Sequence, residues 1–578
     1  IISARDAHQL GLSRAHAYTT KELALTLQSQ GLHSEALATM DRAGSYFEQS
    51  LPEDRHGYFV DLAWITARAM DAGAVPVDWD EPEVLWQDEL EVAESNTWRE
   101  SALNIEANLA WLSLLRGDAS LALERAMSIP RGQFLENPFV QQLVGESALR
   151  ARRVDQADAQ FRSLLEEYRR AGLVSEWWWR SAYGLARVEE SRHRLDSAWA
   201  LYLEALDILR RNAEAIGLLS GRGAFFYDRR TVVEDAVALA LRYRGADAAL
   251  ELVEDAYSAV VVQLGRRVRL EALNPSERED WFEYVARIRE TQKRIEDRQR
   301  RRDLLAVAEL SRFDNESVEL AQDLQHQLEL AVGRAIGTNL LEDVSFLRGS
   351  LGSILHPDEC AWVTFAIGDE AIHFWVTPFG VSAGNEPPDL EHERFSHLYL
   401  IGSDARVRFQ SLIGQRSVSV VPSLRVLRLL RAQSAAKAPS TLSVFADPTS
   451  DLPWARREGE RVSELIGADF YQGSAVDRDR FVRALSSSSL VHYSGHAVTQ
   501  RRDPWATSLR LAEGQSLSVA DVLLEPVTSR MVFLNGCDTS STPGDFADTP
   551  SLPSVLLLAG ARTVATVGGA IEDAVASS

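Results

Sequence analysis

LVHYSGHAVT (490–499) is an apolar run that stops at a histidine, and RMVFLNGCDTS (530–540) is an apolar run that stops at a cysteine. The whole chain has only two cysteines, Cys360 and Cys537, and the second stands where a buried strand would leave its sheet. A histidine occupies the same setting a short way upstream. Short apolar runs without strict alternation fit strands covered on both faces, as in a parallel sheet. Each run reaches a glycine, Gly495 or Gly536, just before the polar residue, and glycine permits a sharp exit turn.

The same texture begins near residue 346. ECAWVTFAIGDEAIHFWVTPFG (359–380) reads as two strands around a Gly368-Asp369-Glu370 turn. Strand-like HLYLIG (397–402), VSVVPS (418–423), TLSVFADP (441–448) and RTVATVGG (562–569) complete the set. Helix-like REGERVSELIG (457–467) and VDRDRFVRAL (476–485) alternate with them. This order predicts an α/β layer built on a largely parallel central sheet.

In such sheets functional groups gather at the carboxyl ends of the strands. If the two strands are neighbours, His496 and Cys537 emerge side by side on one rim. A thiol beside an imidazole is a nucleophile beside its base: the histidine lowers the thiol pKa, and the thiolate attacks a carbonyl. Backbone N–H groups of Cys537 and of the His496 loop are then candidates to hold the oxyanion. A cysteine after a strand also serves as ordinary core filler, and Cys360, which opens an apolar strand, is expected to do that. His492 shares a strand face with His496. With Cys537 the two histidines leave a zinc site short of ligands, and no C-x-x-C or H-E-x-x-H accompanies them. His492 is therefore expected to be a buried, hydrogen-bonded residue behind the dyad, and no metal or cofactor is expected. Asp538, Asp545 and Asp548 follow the cysteine, and Asp503 and Ser508 follow the histidine. Asp538, Asp545 or Asp503 is a candidate to line a substrate pocket favouring Arg or Lys; solvated loop carboxylates are the alternative.

The first half is helical throughout, with apolar residues at i, i+3, i+4 and i+7. GLHSEAL (31–37) and GDASLAL (117–123) share G-x-x-S-x-A-L, while RRVDQAD (152–158) and HRLDSAW (193–199) put Ala at the same offset from the turn. Ala36, Ala157 and Ala198 are followed four residues later by Met40, Phe161 and Tyr202. Small residues there let paired helices approach, and the large residue fills the gap. The pattern resembles tetratricopeptide (TPR) repeats. Trp177, Trp178 and Trp179 cannot share one helix face, so at least one is expected to be exposed. RGADAALELVEDAYSAVVVQLGRR (244–267) reads as a last repeat helix. Residues 281–310 and 317–336 read as two long charged helices forming a solvated hairpin. The expected domains are 1–268 (helical repeats), 269–345 (hairpin linker), 346–440 and 441–578, the last two being halves of the α/β region.

Formal net charge is −23, from 61 Lys and Arg against 84 Asp and Glu. That disfavours a broad nucleic-acid-binding face, which needs clustered cations, and favours protein partners. Two cysteines exclude a disulfide framework and point to a reducing, cytoplasmic setting. No window approaches the roughly 18 continuous apolar residues of a membrane span. The chain starts IISARD without a Met, so its natural start is expected upstream.

Residues 346–578 resemble the CHAT family, caspase-like cysteine peptidases related to separase and often fused to TPR repeats. VHYSGHA resembles that family's strand-plus-His-Gly motif, and NGCDTS resembles its S-A-C-E-T-G motif. SLRLAEGQSLSVADVL (508–523), SLPSVLLLAGARTVAT (551–566), FADPTSDLPWARREGE (445–460) and VSVVPSLRVL (418–427) match in order. The resemblance implies that His496 is the base, Cys537 the nucleophile, and Ala497, Gly536 and Cys537 the oxyanion loop. Ala497 replaces the Gly that usually follows the catalytic histidine. Residues 346–440 take the place of the family's pseudo-protease-like half, and further elements are expected beyond VASS (575–578). The resemblance also implies a specific protein substrate and a regulatory protein or ribonucleoprotein docking on the repeats. Its setting would be prokaryotic defence, as with gasdermin-cutting relatives or partners of type III-E CRISPR effectors. A catalytically inert scaffold is the competing expectation, and a metal-dependent hydrolase a third.

Overall fold

The computed structural model describes residues 13–129, 137–214, 216, 222–258, 351–388, 395–402, 417–432, 440–498, 507–523, 525, 527–536 and 551–566, with isolated positions between 279 and 327. Two compact units result, dividing between Tyr243 and Arg244.

The first unit is a stack of helical pairs: α1 (Ser13–Ser29) with α2 (His33–Phe47), α3 (Pro52–Asp71) with α4 (Asp80–Ser95), and α5 (Arg99–Leu115) with α6 (Ala119–Ser128). Then come α7 (Pro138–Arg150) with α8 (Val154–Ala171) and α9 (Glu176–Ser191) with α10 (Leu195–Glu214). Local chemistry sets their ends. Asp118 accepts from the Leu121 N–H at 2.9 Å, and Asn137 accepts from Phe139 at 2.9 Å ahead of a first-turn Pro138. Four hairpin turns pass through a left-handed residue at the same repeat position: Gly31, Gly117, Arg152 and His193. Two of these carry a Cβ, so the turn geometry outlasts the glycine that best tolerates it.

Ala36, Ala157, Ala198, Met40, Phe161 and Tyr202 are all fully buried, as the repeat register requires. The stack is thus consistent with a TPR-like solenoid. Phe161 of α8 fills a slot between Gly145 of α7 and Gly184 of α9; a Cβ on either glycine would lie 2.6 or 2.5 Å from its ring. Gly184→Ala is therefore expected to destabilise this unit by about 1–3 kcal/mol despite alanine's better helix propensity, read as a lower urea midpoint. None of the three consecutive tryptophans is exposed, contrary to expectation. Trp179 is buried, Trp178 donates to Glu204 at 2.9 Å, and Trp177 packs against Phe139.

After α10 the chain turns back through α11 (Arg222–Asp228) and α12 (Arg230–Tyr243). Asp228 meets His33 Nε2 at 3.0 Å and accepts from Arg68 at 3.3 Å, while Arg229 donates to the Ser29 carbonyl at 3.0 Å. The Arg229 guanidinium lies 3.9 Å over the Phe225 ring and 3.9 Å from Glu176. Burial opposes ionisation of Asp228, but His33, Arg68 and Arg229 outweigh it and hold its carboxyl well below the usual range. Burial pushes Arg229 down to about 10.

The second unit begins with α13 (Ala246–Ser258), the segment expected to close the repeats; it packs instead with the α/β region. Glu254, fully buried, accepts from the Leu424 and Arg425 N–H groups, each at 3.1 Å. These amides open α14 (Leu424–Ala432), so a carboxylate from another helix serves as its cap. Most of 269–345 lies outside the described residues. Val285 and Ile288, one helical turn apart, are buried in the core that holds Val491, Tyr493, Val532 and Leu534. That face is packed rather than solvated.

Two five-stranded sheets follow. The first joins β1 (Glu359–Ile367), β2 (Glu370–Thr377), β3 (Gly380–Gly384), β4 (His397–Ile401) and β5 (Ser417–Val420) in the order β3-β2-β1-β4-β5. Its hairpin strands are antiparallel and β1, β4 and β5 run parallel. Cys360 is buried there with Trp362, Leu398 and Leu400. The second sheet contains β6 (Thr441–Ala446), β7 (Asp469–Gln472), β8 (Ser488–Ser494), β12 (Met531–Asn535) and β13 (Thr563–Thr566). Its order is β13-β12-β8-β6-β7, and all its pairings are parallel. Helices α15 (Pro453–Ile466), α16 (Arg478–Ser487), α17 (Val519–Leu523) and α18 (Leu552–Ala559) connect the strands. A small antiparallel sheet of β9 (Ala497–Val498), β10 (Ser508–Arg510) and β11 (Ser516–Ser518) carries the chain on from β8. The fold is an α-helical solenoid followed by an α/β region with a largely parallel central sheet.

Candidate active site

β8 occupies the centre of the second sheet, with β12 on one side and β6 on the other. Ser494 pairs with Asn535, and the Gly495 N–H donates to the Asn535 carbonyl at 3.1 Å. His496 thus stands two residues beyond one paired strand end, and Cys537 follows two residues beyond the other in sequence. Cys537, Asp538, Asp545 and Asp503 lie outside the described residues; Gly536, the residue before the cysteine, is buried.

Gly495 serves a purpose other than the expected turn. Its φ is outside the left-handed region, but a Cβ would lie 2.6 Å from the Tyr493 hydroxyl and 2.9 Å from Pro448. The fully buried Tyr493 needs that space, because its hydroxyl lies 2.8 Å from the His496 carbonyl and 2.6 Å from the Arg510 carbonyl. This pins the loop beneath the histidine. Arg510 N–H also donates to the His496 carbonyl at 2.9 Å, which makes His496 and Arg510 a hydrogen-bonded antiparallel pair. The next pair, Ala497 and Leu509, is then of the other type, and its N–H groups point away from the ladder. β9 is an edge strand, so the Ala497 N–H faces outward, as an oxyanion donor would need. Ala497 is extended and not at positive φ, so the change from Gly costs the backbone nothing here.

His496 is part-exposed, with Nε2 3.2 Å from each oxygen of Asp451. Asp451 comes from the loop after β6. That loop is shaped by Asp447, whose buried carboxylate accepts from the Leu452 N–H at 2.9 Å and from Arg456 at 2.6 Å. The Thr449 hydroxyl, followed by His496, holds the Asp451 carboxyl below its usual range against the effect of partial burial.

Behind the rim sits Glu458 on α15, brought close by Gly459, where a Cβ would lie 2.5 Å from Ala446. Glu458 accepts from Ser494 at 2.8 Å and from Asn535 at 2.7 Å, joining the ends of β8 and β12. His492 is buried and stacked on Phe533 at 5.0 Å; its Nε2 is 3.0 Å from Glu458 but off the axis of a hydrogen bond. Burial pushes the Glu458 carboxyl up, but His492, Asn535 and Ser494 together bring it below the usual value.

Asp451 and Glu458 both lie within the stretch 445–460, where no local pattern assigns either a role. The available signal was an acidic residue just past the end of a parallel strand flanking the histidine's strand. Among the described residues, no group of three or more His, Cys, Asp or Glu is placed to hold a metal ion, and no helix is long and apolar enough to cross a membrane.

A parallel α/β sheet with its polar side chains gathered on the carboxyl rim defines the class. Residues 395–578 match the family model described as CHAT domain. No curated protein matches the chain. Among solved structures it is similar to the Saccharomyces cerevisiae separase–securin complex, at 9% identity and a TM-score of 0.26. That comparison covers 95% of this chain and 56% of the other, so this chain spans little more than half its length.

Proposed function

We propose that this protein is a cysteine endopeptidase in which Cys537 is the nucleophile and His496 its base. The observation that carries the proposal is the pairing of Ser494 with Asn535, which brings the chain to both residues from adjacent strand ends. The Cys537 thiol gives its proton to His496, and the thiolate attacks the scissile carbonyl carbon. The carbonyl electrons move to oxygen, where the Ala497 and Cys537 N–H groups stabilise the charge. Collapse expels the amine, which takes the proton from the imidazolium, and water then releases the acyl group. Asp538, Asp545 or Asp503 would favour a basic residue before the cut. The substrate is a specific protein, and a protein or ribonucleoprotein partner acts through the helical repeats. The setting is cytoplasmic prokaryotic defence, of the CRISPR type III-E or gasdermin kind.

Iodoacetamide labelling of the full chain at pH 7, followed by mass spectrometry, tests the dyad. Cys537 is expected to react at least about 10-fold faster than glutathione, and His496→Ala to remove that excess. Cys360 serves as the buried internal control. Equal rates for Cys537 and glutathione would favour the inert scaffold. A partner-dependent enzyme is covered by repeating the labelling with cell extract from the source organism.

A further inference from the structure

Two neighbouring parallel strands deliver an acid and an imidazole to one rim, Asp451 after β6 and His496 after the central β8, and Cys537 follows β12 in the sequence. Nε2 of His496 is equidistant, at 3.2 Å, from both Asp451 oxygens. Tyr493 and Arg510 hold the histidine's carbonyl from behind, and Asp447 braces the loop that presents the acid. Both ends of the contact are thus anchored from their own strands.

We infer that Asp451 is a positioning residue for His496, completing an Asp451–His496–Cys537 relay. The inference rests on the peptidase proposal above. A carboxylate facing Nε2 selects the tautomer with its proton there, because a bare Nε2 would face lone pairs. Nδ1 is left as the basic nitrogen. When the thiol S–H bond breaks, its proton goes to Nδ1, while the Nε2 proton stays shared with Asp451. Asp451 remains ionised and offsets the positive charge of the imidazolium.

Several described residues around His496 are ionisable. Asp451 is paired with it, the Tyr493 hydroxyl bonds its carbonyl, and Glu458 and His492 face each other behind the strands. Cys537, Asp503, Asp538 and Asp545 belong to the adjoining segments.

Two measurements test the inference. The first is the ring tautomer of His496, read from its ring nitrogen shifts by NMR on the histidine-labelled full chain in a Cys537→Ser background. Asp451→Asn is expected to reduce the share of the form protonated at Nε2, and Asp451→Glu to restore it. The second is alkylation of Cys537 at pH 7, where Asp451→Asn is expected to be about 5-fold slower than the parent and Asp451→Glu close to it. A carboxylate that only shapes its loop would leave the tautomer balance unmoved. An unchanged His496 tautomer balance in Asp451→Asn, with the parent thiol still activated, overturns this inference alone. A parent thiol no faster than glutathione overturns the peptidase proposal, and the relay with it.

Discussion

Glu458→Ala is expected to lower the stability of the α/β unit by about 3 kcal/mol and to slow Cys537 labelling even in the folded fraction. The carboxylate takes hydrogen bonds from Ser494 and Asn535, the last residues of β8 and β12, and faces buried His492. Removing it takes the acceptor from two largely buried donors and the charge partner from a buried imidazole. The sign with pH is fixed by the lowered carboxyl value. The stabilising contribution is present above the ordinary glutamate value and is lost as pH falls through the lower folded value. Chemical denaturation from pH 7 downward measures both effects: the gap between parent and variant should be widest at pH 7 and shrink as the folded carboxylate takes up its proton. A gap of constant width would mean that Glu458 acts by packing alone.

Glu254→Gln is expected to act in the opposite direction. Burial pushes Glu254 up to about 7, more than the two backbone N–H groups and Arg425 pull it down. Between an ordinary glutamate value and about 7, the folded protein therefore holds a proton that the unfolded chain releases. The stability this provides is complete in mild acid and is lost as pH rises through 7. Gln carries no such proton, yet its carbonyl can still accept at the start of α14. Parent and variant should melt alike near pH 5, with the variant more stable at pH 8 by up to about 3 kcal/mol. Hydrogen exchange at the Leu424 and Arg425 amides localises the effect. Parallel stability curves across this range would show that Glu254 does not titrate there.

The parallel sheet was legible because its strands are covered on both faces, so LVHYSG and RMVFLNG read as continuous apolar runs with glycine exits. The repeats were legible through alanine and a large residue four positions apart, which pack as the spacing demanded. What escaped were contacts set by tertiary placement. Nothing local in FADPTSDLPWARREGE distinguishes Asp451, which meets His496, from Asp447, which braces the loop. In sequence Gly495 suggests a sharp exit turn, whereas the Tyr493 side chain is what requires it. The boundary near residue 244 escaped for a related reason: α13 has a repeat helix's pattern, and only Glu254 meeting α14 shows where it belongs.

Stacked helical pairs ordinarily interact only with their neighbours, so an array frays from its ends and melts in stages. Here Asp228 is latched to His33, 195 residues earlier in the chain. Arg229 extends the latch by bonding the Ser29 carbonyl at the end of α1 and approaching Glu176 of α9. The first pair cannot peel away without breaking a buried ion cluster shared with the fifth. Such an array should open in a single step, and a partner pulling on either end would be felt at the other.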